Sequence, residues 1–228
     1  MKQTPIFAKP MITRLILISF ILFSFNTTAQ DVGVFGTINN SKISGDSPKG
    51  FKINSKSSYE MGILLDLNIG DHVKMSISPG YFSAKSTAQV RDKSMMEPTF
   101  KDSLDIEVAY FMIPIMFKID FTNSDRLYFI GGFEAGIKTK STLTNLSEVP
   151  NPDPLPEPKF QEISFNLALG VGYRIPLKSS FFFVEMRYNQ GLTDITERTT
   201  SSNPLSRMKL KGVEWNLGYA LSLKKKDE

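Results

Sequence analysis

The sequence predicts an all-β fold, an eight-stranded antiparallel up-and-down transmembrane β-barrel, and three observations predict it. Large apolar side chains alternate with polar ones in segment after segment, the glycines of those segments fall on the polar parity, and short turns alternate with long polar connections. A period of two puts alternate side chains on opposite faces of a strand. Alternation alone does not say which face is wet, because a water-soluble barrel buries its apolar face and a membrane barrel shows it to lipid. The other two observations decide that question.

The chain opens with an address. Lys2, Lys9 and Arg14 precede an apolar run from Leu15 to Phe25, followed by Asn26-Thr27-Thr28-Ala29-Gln30. That run is about 11 residues, where a spanning helix needs roughly 20. Residues 1–29 therefore read as a secretory signal peptide cut after Ala29, with residues 30–228 as one barrel domain.

The first strand is expected at 31–42. The second alternates Tyr59, Met61, Ile63, Leu65, Leu67 and Ile69 with Glu60, Gly62, Leu64, Asp66 and Asn68. The third alternates Val73, Met75, Ile77 and Tyr81 with Lys74, Ser76, Ser78 and Gly80. The fourth, 103–121, is apolar on both parities, so its facing is not assigned by pattern. In the fifth, Leu127, Phe129, Phe133, Ala135 and Ile137 oppose Arg126, Gly132, Glu134, Gly136 and Lys138. In the sixth, Ile163 to Tyr173 on odd positions oppose Glu162 to Arg174 on even ones. The seventh alternates Phe182, Val184, Met186 and Tyr188 with Glu185 and Arg187, Phe181 and Phe183 being exceptions. The eighth is the clearest: Val213, Trp215, Leu217, Tyr219, Leu221 and Leu223 oppose Gly212, Glu214, Asn216, Gly218, Ala220 and Ser222.

Glycine on a solvent-facing strand gains nothing, whereas the narrow lumen of an eight-strand barrel needs small side chains. Gly62, Gly132, Gly136, Gly170, Gly172, Gly212 and Gly218 all share the polar parity. On the apolar parity Tyr59, Tyr81, Tyr188 and Trp215 lie toward one end of their strands and Tyr173 and Tyr219 toward the other, as two interfacial belts would require. Short turns fall at Gly70-Asp71-His72, Asn123-Ser124-Asp125 and Leu177-Lys178-Ser179, and polar stretches at 43–57, 84–102, 139–159 and 193–207 form the long connections. With both termini in the periplasm, every long loop lies outside. The proline-alternating stretch 149–158 reads as a stiff surface loop.

Short motifs in this order resemble a known family. Ala29-Gln30, Ser78-Pro79-Gly80-Tyr81, Ala109 to Ile115, Tyr128 to Gly132, Leu169 to Tyr173 and Glu185 to Leu192 resemble the PorT-like outer-membrane β-barrel proteins of Gram-negative bacteria. The resemblance implies an eight-strand barrel in the outer membrane and, for the family's named member, a component of the type IX secretion machinery. The shared motifs are barrel motifs and transfer no site residue. The chain departs from many outer-membrane proteins in ending on Leu223 and a charged tail, not on an aromatic residue.

Composition excludes much chemistry. No cysteine means no disulfide, thiol nucleophile or lipidated cysteine. Of 27 basic residues three lie in the address segment, leaving 24 against 23 acidic ones, which is no nucleic-acid footprint. The single histidine, His72, falls in a short turn, away from any nucleophile, so a non-enzyme without cofactor is expected. Asp92, Glu97 and Asp102 share a loop without calcium-loop spacing.

The polar parity carries Glu60, Asp66, Lys74, Glu134, Arg174, Glu185, Arg187 and Glu214, expected as a lumenal charge network, since unpaired ions in a poorly hydrated interior are costly. Arg207, Lys209 and Lys211 are expected on the outer rim, where they would meet outer-membrane lipid, specifically lipopolysaccharide phosphates. The functional expectation is an interaction, assembly or structural role, secretion-associated, with a protein partner at the outer loops or periplasmic turns. Two alternatives stay open: a narrow channel or small-molecule binder using the lumen, and a soluble periplasmic lipocalin-like barrel.

Overall fold

The structure, a computed structural model, describes residues 30–39, 42–44, 51–56, 58–91, 100–121, 126–145, 159–196 and 208–223. These form eleven strands: β1 Asp31–Asn39, β2 Lys42–Ser44, β3 Phe51–Ser55, β4 Ser58–Asn68, β5 Val73–Ile77, β6 Gly80–Arg91, β7 Phe100–Asp120, β8 Leu127–Asn145, β9 Ile163–Pro176, β10 Ser180–Gly191 and β11 Lys209–Ser222. They combine into eight staves, because β2 continues β1 against β11, β3 continues β4 against β6, and β5 and β6 are one strand. Pro79 has no N–H and so interrupts that last stave in name only. Ile63 N–H still donates to Pro79 O at 3.0 Å, and Ser78 N–H to Pro114 O at 3.2 Å.

Each stave pairs antiparallel with its sequence neighbours, and β1 closes the barrel by pairing with both β11 and β4. Closure removes the free edges that lipid would not tolerate. Gln30 and Leu223 meet at one end, Leu223 N–H donating to Gln30 O at 2.6 Å, beside the short turns. Ile69 and Gly70 N–H close the first turn on Val73 O, and Leu177 N–H closes another on Ser180 O at 2.7 Å. Residues 122–125 lie outside the described residues, but Phe121 N–H donates to Leu127 O across their base.

Side-chain facing follows the membrane order. Trp215 and Leu217 are 50% and 55% exposed, whereas Glu214, Asn216 and Arg174 are buried. A soluble lipocalin-like barrel would show the reverse. In β7 the even positions Ile106, Val108, Tyr110, Met112, Met116, Lys118 and Asp120 point inward and Phe111, Ile115, Phe117 and Ile119 outward, which settles the facing left open by its pattern. Phe181 and Phe183 depart from the seventh strand's alternation because they fill the lumen at its turn end.

The strands run further than expected. Stretches 43–57, 84–102 and 139–159 were expected as loops, yet β2 and β3 lie in the first, β6 continues to Arg91, β7 begins at Phe100 and β8 reaches Asn145. Above the membrane a β-ladder continues with polar residues on its outer face, so apolar alternation stops where backbone pairing does not. Lys56 on Asp105 at 2.7 Å and Lys85 on Glu107 at 3.5 Å lace that face. A bulge lets Tyr110 pair with Lys138 while Ala109 pairs with Lys140. The extra Thr139 inverts the parity, so Leu143 turns inward onto the apolar cluster. The rim is therefore uneven: β6, β7 and β8 stand tall, while β9 starts at Ile163 and β10 ends at Gly191.

Candidate functional site: the filled lumen

Inward parity brings side chains from all eight staves into one shaft, filled in three tiers. At the turn end, Lys118 on β7 bonds both carboxylate oxygens of Asp66 on β4, at 3.2 and 3.0 Å, and lies 3.3 Å from Glu185 on β10. Arg174 on β9 pairs with Asp120 at 2.7 Å, and Lys74 with Asp31 at 3.0 Å. Aromatic rings cover these cations: the Arg174 guanidinium lies 4.2 Å from the Tyr128 centroid and Lys118 Nζ 5.4 Å from that of Phe183. The rings exclude water and offer their negative faces to the charges, which offsets part of the cost of burying them.

The rings fit because glycines leave room. A Cβ at Gly172 would overlap the Tyr128 ring, and one at Gly218 the Phe183 ring. Glycine on the polar parity thus marks where an inward ring from a neighbouring stave lies flat against the wall.

The middle tier is acidic. Glu185 accepts from Tyr128 Oη at 2.7 Å and is ion-paired with Arg187. Arg187 lies in Coulombic reach of Glu134, Glu214 and Glu60 as well. Asn166 and Asn189 donate to Glu134 Oε2 at 3.4 and 3.2 Å, and Thr37 donates to Asn216. A cavity of about 10 Å³, room for one water, is lined here by Glu60, Glu134, Glu214, Asn166 and Asn189 together with Phe82, Met112, Leu210 and Lys211. Glu60 Oε1 and Asn189 Oδ1 receive no hydrogen bond from the protein.

The top tier is apolar. Phe82, Ala84, Ile106, Val108, Tyr110, Met112, Phe160, Ile195, Met208 and Leu210 form one buried cluster. The described ends of two connections help to build it: Phe160 bridges Thr196, and Ile195 N–H donates to Met208 O at 2.6 Å. Lys138 Nζ holds Phe160 O at 2.7 Å.

The outer membrane protein beta-barrel domain family matches residues 28–197. The chain belongs to that family. Among solved structures it is similar to the outer membrane protein OprG from Pseudomonas aeruginosa, at 14% identity and a TM-score of 0.50, covering 86% of this chain and 97% of that one. It is also similar to the translocator domain of autotransporter NalP from Neisseria meningitidis, at 9% identity and a TM-score of 0.35, covering 94% and 95%. The likeness to OprG shows the fold: a closed eight-stranded outer-membrane barrel. No curated protein matches the chain.

Within this outer-membrane barrel all eight expected lumenal charges, Glu60, Asp66, Lys74, Glu134, Arg174, Glu185, Arg187 and Glu214, lie on the inner wall. Sequence reasoning missed Asp31, Lys118 and Asp120, which complete the lower ion pairs. The lysine and Asp120 were legible only as charges inside an otherwise apolar segment. Among the described residues no group of three acids or histidines is arranged to hold a metal ion. His72 is exposed in its turn, its carbonyl accepting from Asp120 N–H at 2.9 Å. Lys211 is exposed and Lys209 half-buried at the loop-end rim; Arg207, Asp92 and Glu97 lie outside the described residues, as do 149–158. For Asp102, only its backbone place in β7 is described.

Proposed function

We propose that this barrel is a closed, non-enzymatic outer-membrane protein whose work is done on its outer surface, as an anchor that holds a protein partner in an assembly. One observation carries the reading: the shaft is filled from end to end by ion pairs, rings and an apolar cap, while β6, β7 and β8 rise past the lipid belt as a polar-faced wall. A filled shaft offers a solute no path, and a tall wall offers a partner a rigid sheet. On this reading residues 1–29 direct export and are cut after Ala29, and the PorT-like resemblance makes a secretion assembly the context.

The test is to excise residues 88–104, the end of the β6–β7 hairpin, and rejoin Thr87 to Asp105, which already pair across it, through a two-residue Asn-Gly turn. The trimmed protein should keep its heat-modifiable gel migration and lose both partner crosslinks and complementation of a deletion strain. Full complementation by the trimmed protein would overturn the reading. The excess of acids in the middle tier favours a second reading, a narrow cation path opened by displacement of the cap. Bilayer conductance that falls in Glu185→Gln would select it.

A further inference from the structure

Where β8 overtops β9, the tall wall ends on a strand edge. Pairing of β8 with β9 stops at Ile137, while β8 goes on pairing with β7 up to Asn145. Among the described residues no strand pairs with the other side of 139–145. Register assigns the backbone groups there, because alternate residues of an antiparallel strand turn N–H and C=O to opposite sides. Odd residues of β7 face β8, as the bond from Phe121 N–H to Leu127 O shows, and above the bulge Glu107 and Asp105 pair with Thr142 and Thr144. Ser141, Leu143 and Asn145 are left with their N–H and C=O turned to the open side. Such an edge is a template for another strand, and chains that guard one place prolines or inward-pointing charges at its open positions. None of these three residues is either.

Neither the chain's own return nor a second β8 suits this edge. Even residues of β9 face β8: Glu162 O accepts from Lys138 N–H at 2.8 Å, and Arg174 N–H donates to Arg126 O at 2.8 Å. A strand carried upward from β9 in the same alternation would bring Pro158, Pro156, Pro154, Pro152 and Pro150 to the positions that donate to β8, and proline has no N–H. β8 ascends from the turn end, so an antiparallel partner must descend. In a second copy related by an axis along the membrane normal β8 ascends too, and two strands each tilted by about 40° would cross at about 80°.

Charge states the chemistry of the occupant. Lys140 and Lys159 are exposed beside the edge, and among the described residues neither is ion-paired with a carboxylate. The acids of the adjoining ladder are already engaged, Asp105 by Lys56 and Glu107 by Lys85, and Glu162 lies exposed at the foot of the step. On the inner side Leu143 packs on the apolar top tier. We propose that the open edge of β8 at 140–145 takes an extended acidic segment of a partner protein, added antiparallel as a further strand of the wall. Its apolar side chains lie beside Leu143, its carboxylates beside Lys140 and Lys159, and its main chain bonds Ser141 and Leu143. The inference rests on the assembly reading and names the segment by which the partner docks.

The full barrel in phosphatidylcholine nanodiscs is titrated with a fluorescein-labelled peptide of alternating valine and glutamate, read by anisotropy. Two control peptides accompany it, one N-methylated at its valines and one with lysine for glutamate. Directly opposed residues share a face, so the valines stand opposite Ser141 and Leu143 and N-methylation removes their donors to β8. The acidic peptide should bind, and both controls about tenfold or more weakly. S141A should bind as the wild type does, S141P about tenfold more weakly and K140Q/K159Q about fivefold more weakly, all with unchanged heat-modifiable migration. No binding by the wild type, or equal binding by S141P or of the N-methylated peptide, would overturn the proposal. A wild type that sediments as an oligomer in detergent while S141P sediments as a monomer would make a second copy the occupant and overturn it as well. Complementation separates this inference from the reading beneath it. If the hairpin-trimmed barrel fails and S141P complements fully, the anchor stands and the edge falls; if S141P fails and the trimmed barrel complements fully, the hairpin is dispensable and the edge stands.

Discussion

Leu217→Arg is the substitution that separates a lipid-facing position from a lumenal one most sharply. Leu217 is 55% exposed on the outer wall, opposite Val184 on β10 and Gly36 on β1. It lies midway between Val213 and Leu221, the ends of the apolar run on β11. Eight residues at about 3.4 Å, tilted by about 40°, span roughly 21 Å, so an arginine at the centre lies about 10 Å from either interface. A guanidinium reaching only part of that distance stays in hydrocarbon. The expected cost is about 2–4 kcal/mol, or roughly 30- to 900-fold in the folding equilibrium, against about 0–1 kcal/mol for Leu221→Arg near the interface. Urea titration of the barrel in lipid vesicles, read by heat-modifiable gel migration, measures both. Asn216→Ser, one residue away on the lumenal face, should lose only its hydrogen bond with Thr37, about 1 kcal/mol. Equal costs at 217 and 221, or a tolerated Leu217→Arg, would refute the reasoning.

Three further outcomes follow from the lumen and the wall. Glu185→Leu leaves Arg187 and Lys118 without their shared carboxylate and should cost about 3–5 kcal/mol in the same titration; adding Arg187→Leu should recover part of it. Gly172→Ala pushes into the Tyr128 ring and should cost about 1–3 kcal/mol, and in a Tyr128→Ala background that cost should vanish, a coupling read from a double-mutant cycle. Above the membrane, hydrogen bonds from Lys56 and Thr87 hold the Asp105 carboxyl below its usual range, so its contribution is present above the ordinary aspartate value and lost as pH falls through the lowered one. Amide protection at the top of β3 and β6, with the intrinsic pH dependence of exchange divided out, should therefore fall only below about pH 4 in the wild type, while Asp105→Asn shows the lower protection at neutral pH. The pair is exposed, so the effect stays under about 1 kcal/mol.

What the sequence made legible is what lipid enforces. Outward positions on β4, β9 and β11 must be apolar whatever lies inside, so their alternation is clean and the facing of Glu60, Arg174 and Glu214 follows from it. The lumen imposes no such rule. Its top tier needs bulk, so Tyr110 and Met112 make β7 apolar on both parities, Met116 fills the shaft lower down beside Tyr128, and Phe181 and Phe183 do the same for the start of β10. The wall imposes no rule either, since solvent lies on its outer side, and the strand extensions at 84–91 and 139–145 read as loops. Ion-pair partners were illegible for a different reason. Lys118 and Asp66 are 52 residues apart, and Arg174 and Asp120 are 54 apart, so pairing depends on the accumulated register of several staves.

The charge inventory of the shaft bears on whether the lumen can serve as a path. Among the described residues Asp31, Glu60, Asp66, Asp120, Glu134, Glu185 and Glu214 face Lys74, Lys118, Arg174 and Arg187, and the surplus of acids gathers in the middle tier. A solute path would need those groups wetted, yet the tier above them is Phe82, Ile106, Val108 and Met208, and the tier below is roofed by Tyr128 and Phe183. Opening either end exposes apolar surface and strips rings from buried cations at once. The two costs rise together, so the filled state is held from both ends. The outer surface is not closed in this way: β6, β7 and β8 carry a polar-faced wall past the lipid belt, and the proposed anchoring role would use that wall.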